Sequence, residues 1–227
     1  MLLQKVVSII ALSAALLDGS MKTALPDKNM DGTVFLVNRQ HAISKSYVPA
    51  TRKVIGPGMS QSMREDGAAA LEEMFAAAKA DGINLAIVSG YRSYTKQNTI
   101  YSRKKASQGQ EVADRVSARP GTSEHQLGLA MDLAKKGSSQ LNTAFGTTKE
   151  GQWVSANAHR FGFIVRYLKD YEDITGYMYE PWHVRYVGRE QAEAIYATGL
   201  PMELYMTDYK LQVYDYLIHQ ATNEVLP

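Results

Sequence analysis

The chain of 227 residues has five histidines, His41, His125, His159, His183 and His219, and no cysteine. Two of the histidines stand where they could do chemistry. The first lies in Ser123-Glu124-His125-Gln126-Leu127-Gly128-Leu129-Ala130-Met131-Asp132, the second in Glu180-Pro181-Trp182-His183. His125 and Asp132 are seven apart, an odd spacing that puts them on opposite faces of a straight strand. They converge only if the chain bends between them, and Gly128 is where it bends most cheaply. Asp132 sits among Ala130, Met131, Leu133 and Ala134, and a carboxylate in an apolar run is costly unless a cation meets it. A metal ion answers that need. In the second segment, Pro181 argues against a helix interior, so Glu180 reads as part of a loop entering a strand over 183–187.

Together the segments offer two imidazoles and one carboxylate. Three protein ligands with a fourth position left to water is the pattern of a catalytic zinc site rather than a structural one. Zinc lowers the pKa of such a water to about 7. Glu180 beside it is placed to take that water's proton and pass it to a leaving amine. Arg92, in Ser89-Gly90-Tyr91-Arg92-Ser93 after a buried strand, is a candidate to meet charge developing on oxygen. Each piece also has a structural reading. His125 could be a surface-loop histidine, Asp132 a strand-end cap, His183 an edge-strand residue and Arg92 the close of a strand–helix turn.

The segments occur in one order: Ser89-Gly90-Tyr91-Arg92-Ser93, then Ser123-x-His125-x-x-Gly128-x-Ala130-x-Asp132, then Glu180-Pro181-Trp182-His183. In that order they resemble the VanY-type D-alanyl-D-alanine carboxypeptidases, grouped with LdcB-type L,D-carboxypeptidases in peptidase family M15B. The resemblance runs from about Leu36 to about Leu200. It implies His125, Asp132 and His183 as zinc ligands, Glu180 as catalytic base and Arg92 as the residue stabilising the oxyanion or binding substrate. It further implies substrate contacts at Ser123 and Gln97, with Trp182 and Tyr167 as pocket walls. The fold it implies is α+β, hedgehog/DD-peptidase-like, with a central antiparallel sheet carrying the zinc and helices flanking it. The reaction implied is hydrolysis of the terminal D-Ala-D-Ala bond of a peptidoglycan stem peptide. Two alternatives stay open: L,D cleavage of the stem tetrapeptide, and a zinc-containing wall-binding module without catalysis. A structural wall protein would need no zinc.

The elements that must position these residues are readable in outline. Ser62 to Ala80 is expected to be helical, with Leu71, Met74, Phe75 and Ala78 at helical spacing. Residues 84–89 read as a buried strand, Tyr94 to Gln108 and Gln110 to Ser117 as helices, and Arg119-Pro120-Gly121-Thr122 as a turn. Leu127 to Ala134, Phe161 to Tyr167, 183–187 and a short Val34 to Asn38 read as strands. Gly188 to Thr198 and Met202 to Ala221 close the chain as helices. This order points to α+β rather than regular βαβ winding.

Composition bounds the rest. Hydrophobic residues are 45% and charged residues 21% of the chain, enough apolar material for a core without staples. The net charge of +2 is not that of a nucleic-acid binder, and the run Arg103-Lys104-Lys105 reads as a solvated helix face. Without cysteine there is no thiolate metal site and no disulfide. Residues 1–20 place Lys5 before an apolar run from Val6 to Leu17, the form of an export signal or N-terminal anchor. Residues 21–33 read as a linker and 34–227 as the zinc carboxypeptidase domain. The expected setting is extracytoplasmic, secreted or anchored at a bacterial wall, with membrane contact through the apolar N-terminal segment only.

Overall fold

The structure is a computed structural model that describes residues 32–207. The expected leader, most of the linker, His219 and the distal part of the last expected helix lie outside the described residues. In chain order the elements are β1 (Arg52–Lys53), β2 (Ser62–Met63), α1 (Glu65–Ala80), β3 (Leu85–Ser89), α2 (Tyr94–Gln108) and α3 (Gln110–Val116). A 3-10 turn (Glu124–Leu127), β4 (Ala130–Lys135), a second 3-10 turn (Thr143–Thr147), α4 (Lys149–Asn157) and a third (Ala158–Phe161) follow. The chain then forms β5 (Phe163–Tyr167), α5 (Glu172–Thr175), β6 (Glu180–Tyr186), α6 (Arg189–Thr198) and a last helix at 202–207.

β3, β4, β6 and β5 form a four-stranded sheet in the order β3-β4-β6-β5, antiparallel at every junction. One face is apolar. Met131 and Leu133 of β4 and Trp182 and Val184 of β6 pack with Leu71, Met74, Phe75 and Ala78 of α1 and with Trp153 and Val154 of α4. The period-two alternation of a strand then turns Asp132 and His183 to the opposite face. The register sets these two directly across from one another, and Ser89 of β3 lies opposite Asp132 on the other side.

Several expectations shift by a few residues for identifiable reasons. α1 begins at Glu65 rather than Ser62, because Ser62 and Met63 pair with Lys53 and Arg52, and Arg64 N–H donates to the Gly128 carbonyl. Residues 34–38 form no strand. The Phe35 carbonyl there, and that of Thr33 just before it, accept from Arg185 Nη2 at 2.8 and 2.7 Å instead of entering a ladder. β6 starts at Glu180, so Pro181 lies inside a strand rather than in a loop. Its missing donor is tolerated because β5 shifts register against β6 between Val165 and Tyr167. α2 spans the expected residues, capped by Ser93, whose Oγ accepts from Lys96 N.

Asp114 on α3 ties the α2–α3 pair together. Its Oδ1 accepts from Tyr101 Oη at 2.7 Å and from Arg119 Nε at 2.9 Å, and its Oδ2 accepts from Arg119 Nη2 at 2.8 Å. The Arg119 hydrogen bond, opposed by burial, draws the Asp114 carboxyl down to about 2. A depressed carboxylate stabilises the fold above its unfolded pKa and loses that contribution as pH falls through the folded value. Asp114→Asn is therefore expected to cost about 1 kcal/mol at neutral pH, discounted because Arg119 is solvent-exposed. In urea titrations the gap to wild type is expected to close between about pH 4 and pH 2.

Candidate metal centre

His125, Asp132 and His183 are all buried, at 1%, 3% and 4% exposure. One donor atom from each lies within 4.8 Å of the others, the one such cluster among the described residues. His125 reaches the sheet because the 3-10 turn ends at Gly128, whose φ of +71° is left-handed. A Cβ there would meet Thr51 Cγ2 at 3.1 Å and Arg64 Cγ at 3.3 Å. This is the bend that the seven-residue spacing requires.

Each imidazole is held by its outer nitrogen. His125 Nδ1 lies 2.7 Å from the Gly90 carbonyl, which fixes Nδ1 as the protonated atom and leaves the Nε2 lone pair inward. Nε2 lies 3.3 Å from Asp132 Oδ2. His183 points Nδ1 inward, 3.1 Å from Asp132 Oδ1 and 3.9 Å from Glu180 Oε2, while its Nε2 sits 3.3 Å from Glu124 Oε2. The two rings are edge-on, with centroids 4.9 Å apart.

His125 Nε2 and Asp132 Oδ1 are buried with no hydrogen-bond partner, an arrangement that costs energy unless something else satisfies them. Burial opposes the Asp132 charge, yet His125 and His183 hold its carboxyl well below the usual range. Burial opposes a charged His183 too, but the Asp132 and Glu124 carboxylates beside its ring raise it to about 9. Burial, with Arg92 nearby, lowers His125 to about 4. The centre is thus a buried anion flanked by two inward imidazole nitrogens, His125 Nε2 and His183 Nδ1, and it favours a cation. Two nitrogens, one oxygen and an open side fit zinc.

The centre opens into a cleft of about 430 Å³ lined by Arg92, Ser123, Glu180, Tyr167 and Trp182 among others. Burial raises the Glu180 carboxyl to about 7, with His183 the main opposing influence. Arg92 is close enough for Asp132 and Glu180 to act on its charge. The Arg92 amide donates to the His125 carbonyl at 3.1 Å, so the loop after β3 and the histidine-bearing turn are locked together. Tyr167 tilts against His183 with centroids 5.0 Å apart.

Gln97 differs from the other expected residues. It is 1% exposed and its Nε2 donates to the Ala118 carbonyl at 2.6 Å, so it braces the cleft wall at Ala118 rather than lining the cleft. Lys104 differs in the other direction. Arg103 and Lys105 are exposed as expected, but half-buried Lys104 lines the cleft. Of the other histidines, His41 Nδ1 lies 3.0 Å from Asn38 Oδ1 and His159 stacks on Tyr196.

Sequence reasoning missed Glu124, a fully buried carboxylate between Arg166, Arg185 and His183. Its signal was indirect: an arginine inside each of the apolar strand segments Phe163–Tyr167 and Glu180–Tyr186, since a buried guanidinium needs a buried anion.

The family model "VanY: D-alanyl-D-alanine carboxypeptidase" matches residues 60–189, which hold the whole centre. The chain belongs to the VanY family. It is 40% identical over 190 residues to a D-alanyl-D-alanine carboxypeptidase of Enterococcus faecalis, covering 78% of this chain and 67% of that one. A solved LdcB LD-carboxypeptidase superposes with a TM-score of 0.72 at 43% identity, covering 76% of this chain and 84% of that one. A mutant of the vancomycin-resistance D,D-pentapeptidase VanY in complex with Zn(II) superposes with a TM-score of 0.67 at 37% identity, covering 77% and 98%. The α+β fold with its antiparallel sheet is that of these peptidases.

Two variants test the geometry. Gly128→Ala forces a side chain into the left-handed region at a cost of about 1–2 kcal/mol, before its contacts with Thr51 and Arg64 are counted, and thermal denaturation is expected to show the loss. Asp132→Asn is expected to weaken zinc binding by more than roughly 100-fold in chelator competition, since even outer partners of a metal site are worth about 10–100-fold.

Proposed function

We propose that this chain is a zinc carboxypeptidase that hydrolyses the terminal D-Ala-D-Ala bond of peptidoglycan stem peptides. The observation that carries the reading is the convergence of His125, Asp132, His183, Glu180 and Arg92 on one cleft in a chain of the VanY family. His125 through Nε2, His183 through Nδ1 and an oxygen of Asp132 are the ligands. A zinc ion held there acts as a Lewis acid and lowers the pKa of a bound water to about 7.

The chain's own residues supply the rest. Glu180, with a pKa near neutrality, takes a proton from the attacking water and delivers it to the amine that leaves. Arg92 meets the negative charge that develops on the carbonyl oxygen. Ser123, buried at 3% exposure in the cleft wall, offers a hydroxyl to the terminal carboxylate. Tyr167 and Trp182 wall the site and limit water around the reacting bond. Gln97 acts through the Ala118 segment it braces. A binding module would need no base beside the metal.

L,D cleavage of the stem tetrapeptide is the second reading, supported by the likeness to LdcB. The place of action is extracytoplasmic, with residues 1–20 as export signal or anchor, 21–33 as linker and 34–227 as the enzymatic domain. Among the described residues no helix is long and apolar enough to cross a membrane.

Stem pentapeptide and tetrapeptide, each incubated with the zinc-loaded protein and followed by mass, separate the readings. Loss of one alanine from the pentapeptide, abolished by chelator and restored by zinc, is expected. Loss from the tetrapeptide alone would replace the D,D reading with the L,D one, and cleavage of neither would overturn both. Glu180→Ala is expected to keep its zinc while losing about 10²–10⁴ in kcat. Arg92→Ala is expected to lose about 10²–10³ in kcat.

A further inference from the structure

Glu124 is wholly buried, and its two oxygens do different things. Oε1 accepts from Arg166 Nε at 2.7 Å and from Arg185 Nη1 at 2.8 Å. Oε2 is left for one partner, His183 Nε2, at 3.3 Å. The arginines are tied in turn. Arg166 bonds both oxygens of Glu203, at 2.8 and 2.6 Å, and Arg185 bonds the Thr33 and Phe35 carbonyls. A carboxylate needed only to neutralise Arg166 and Arg185 would have no reason to turn its second oxygen on the imidazole.

We infer that Glu124 is a positioning residue for the metal: by accepting the Nε2–H of His183 it fixes that ring's tautomer and angle and leaves Nδ1 as the ligand atom. The inference rests on the zinc reading above. It makes the two histidine ligands asymmetric. His125 is oriented by a neutral carbonyl, Gly90, whereas His183 is oriented by a charged group. A carboxylate behind an imidazole raises its basicity and strengthens it as a ligand. Two arginines hold that carboxylate ionised where burial alone would favour its neutral form, so it accepts a proton without taking it. The network also reaches residues near both ends of the described chain, Thr33 and Glu203, so that the aim of His183 is set by the closure of the fold.

The test uses the full chain and zinc itself. Glu124→Gln keeps the shape but loses the charge, and is expected to weaken zinc binding by about 10–100-fold in competition with a chelator. Glu203→Gln damages the same ionic network at its far end without touching His183, and is expected to leave zinc affinity unchanged while lowering thermal stability. Equal zinc affinity in Glu124→Gln and wild type, or an equal loss in both variants, would overturn the inference and leave Glu124 as part of an ion cluster only. Should Glu124→Gln not fold, wild-type protein decides the matter. Nitrogen NMR of cadmium-substituted protein is expected to couple the metal to His183 Nδ1, with Nε2 protonated, and coupling to Nε2 would contradict it. Failure of wild type to bind zinc at all would instead bring down the zinc reading.

Discussion

Asp132 is a carboxylate in the middle of a strand, buried and facing His183 across the ladder. That is the constraint from which the rest follows. A buried anion without compensation is among the most costly things a fold can contain. Here the two inward imidazole nitrogens surround it and Arg92 stands nearby, yet donor atoms remain unsatisfied. A cation among the three residues satisfies them. A residue pair on neighbouring strands of a rigid sheet is also a precise platform, because its separation is set by backbone hydrogen bonds and not by side-chain rotamers. The third ligand comes from a turn, but that turn is held by the Gly90 carbonyl on the imidazole and by the Arg92 amide on the His125 carbonyl.

Two faces of one sheet thus carry two tasks. The face with Met131, Leu133, Trp182 and Val184 builds the core against α1 and α4. The opposite face carries Asp132 and His183 together with the Glu124–Arg166–Arg185 network. Replacing such a network by apolar groups can be neutral for stability in other proteins. Its contact with His183 serves orientation as well as stability.

Legibility in the sequence followed the range of the interactions involved. α1 could be read because its signal is local: apolar residues three and four apart. His125, Asp132, His183 and Glu180 could be singled out because their types and order resemble a family, not because spacing alone decides, and the fold brings them to one cleft. The bend at Gly128 was deducible, since an odd spacing demands one. Glu124 was legible only indirectly, because its meaning comes from arginines 42 and 61 residues away in sequence. The same holds for 34–38, whose composition suits a strand but whose Phe35 carbonyl is taken by the distant Arg185. The resemblance implied a substrate contact at Gln97, and only the fold shows its amide turned to Ala118.

The most direct measurement is a crystal structure of the zinc-loaded protein with anomalous scattering collected on both sides of the zinc edge. A single anomalous peak is expected about 2.0–2.2 Å from His125 Nε2, His183 Nδ1 and an Asp132 oxygen, with Glu180 near but not bonded to it. A peak ligated by Glu180 in place of one of the three, or by His183 through Nε2, or no peak at this centre, would contradict the account.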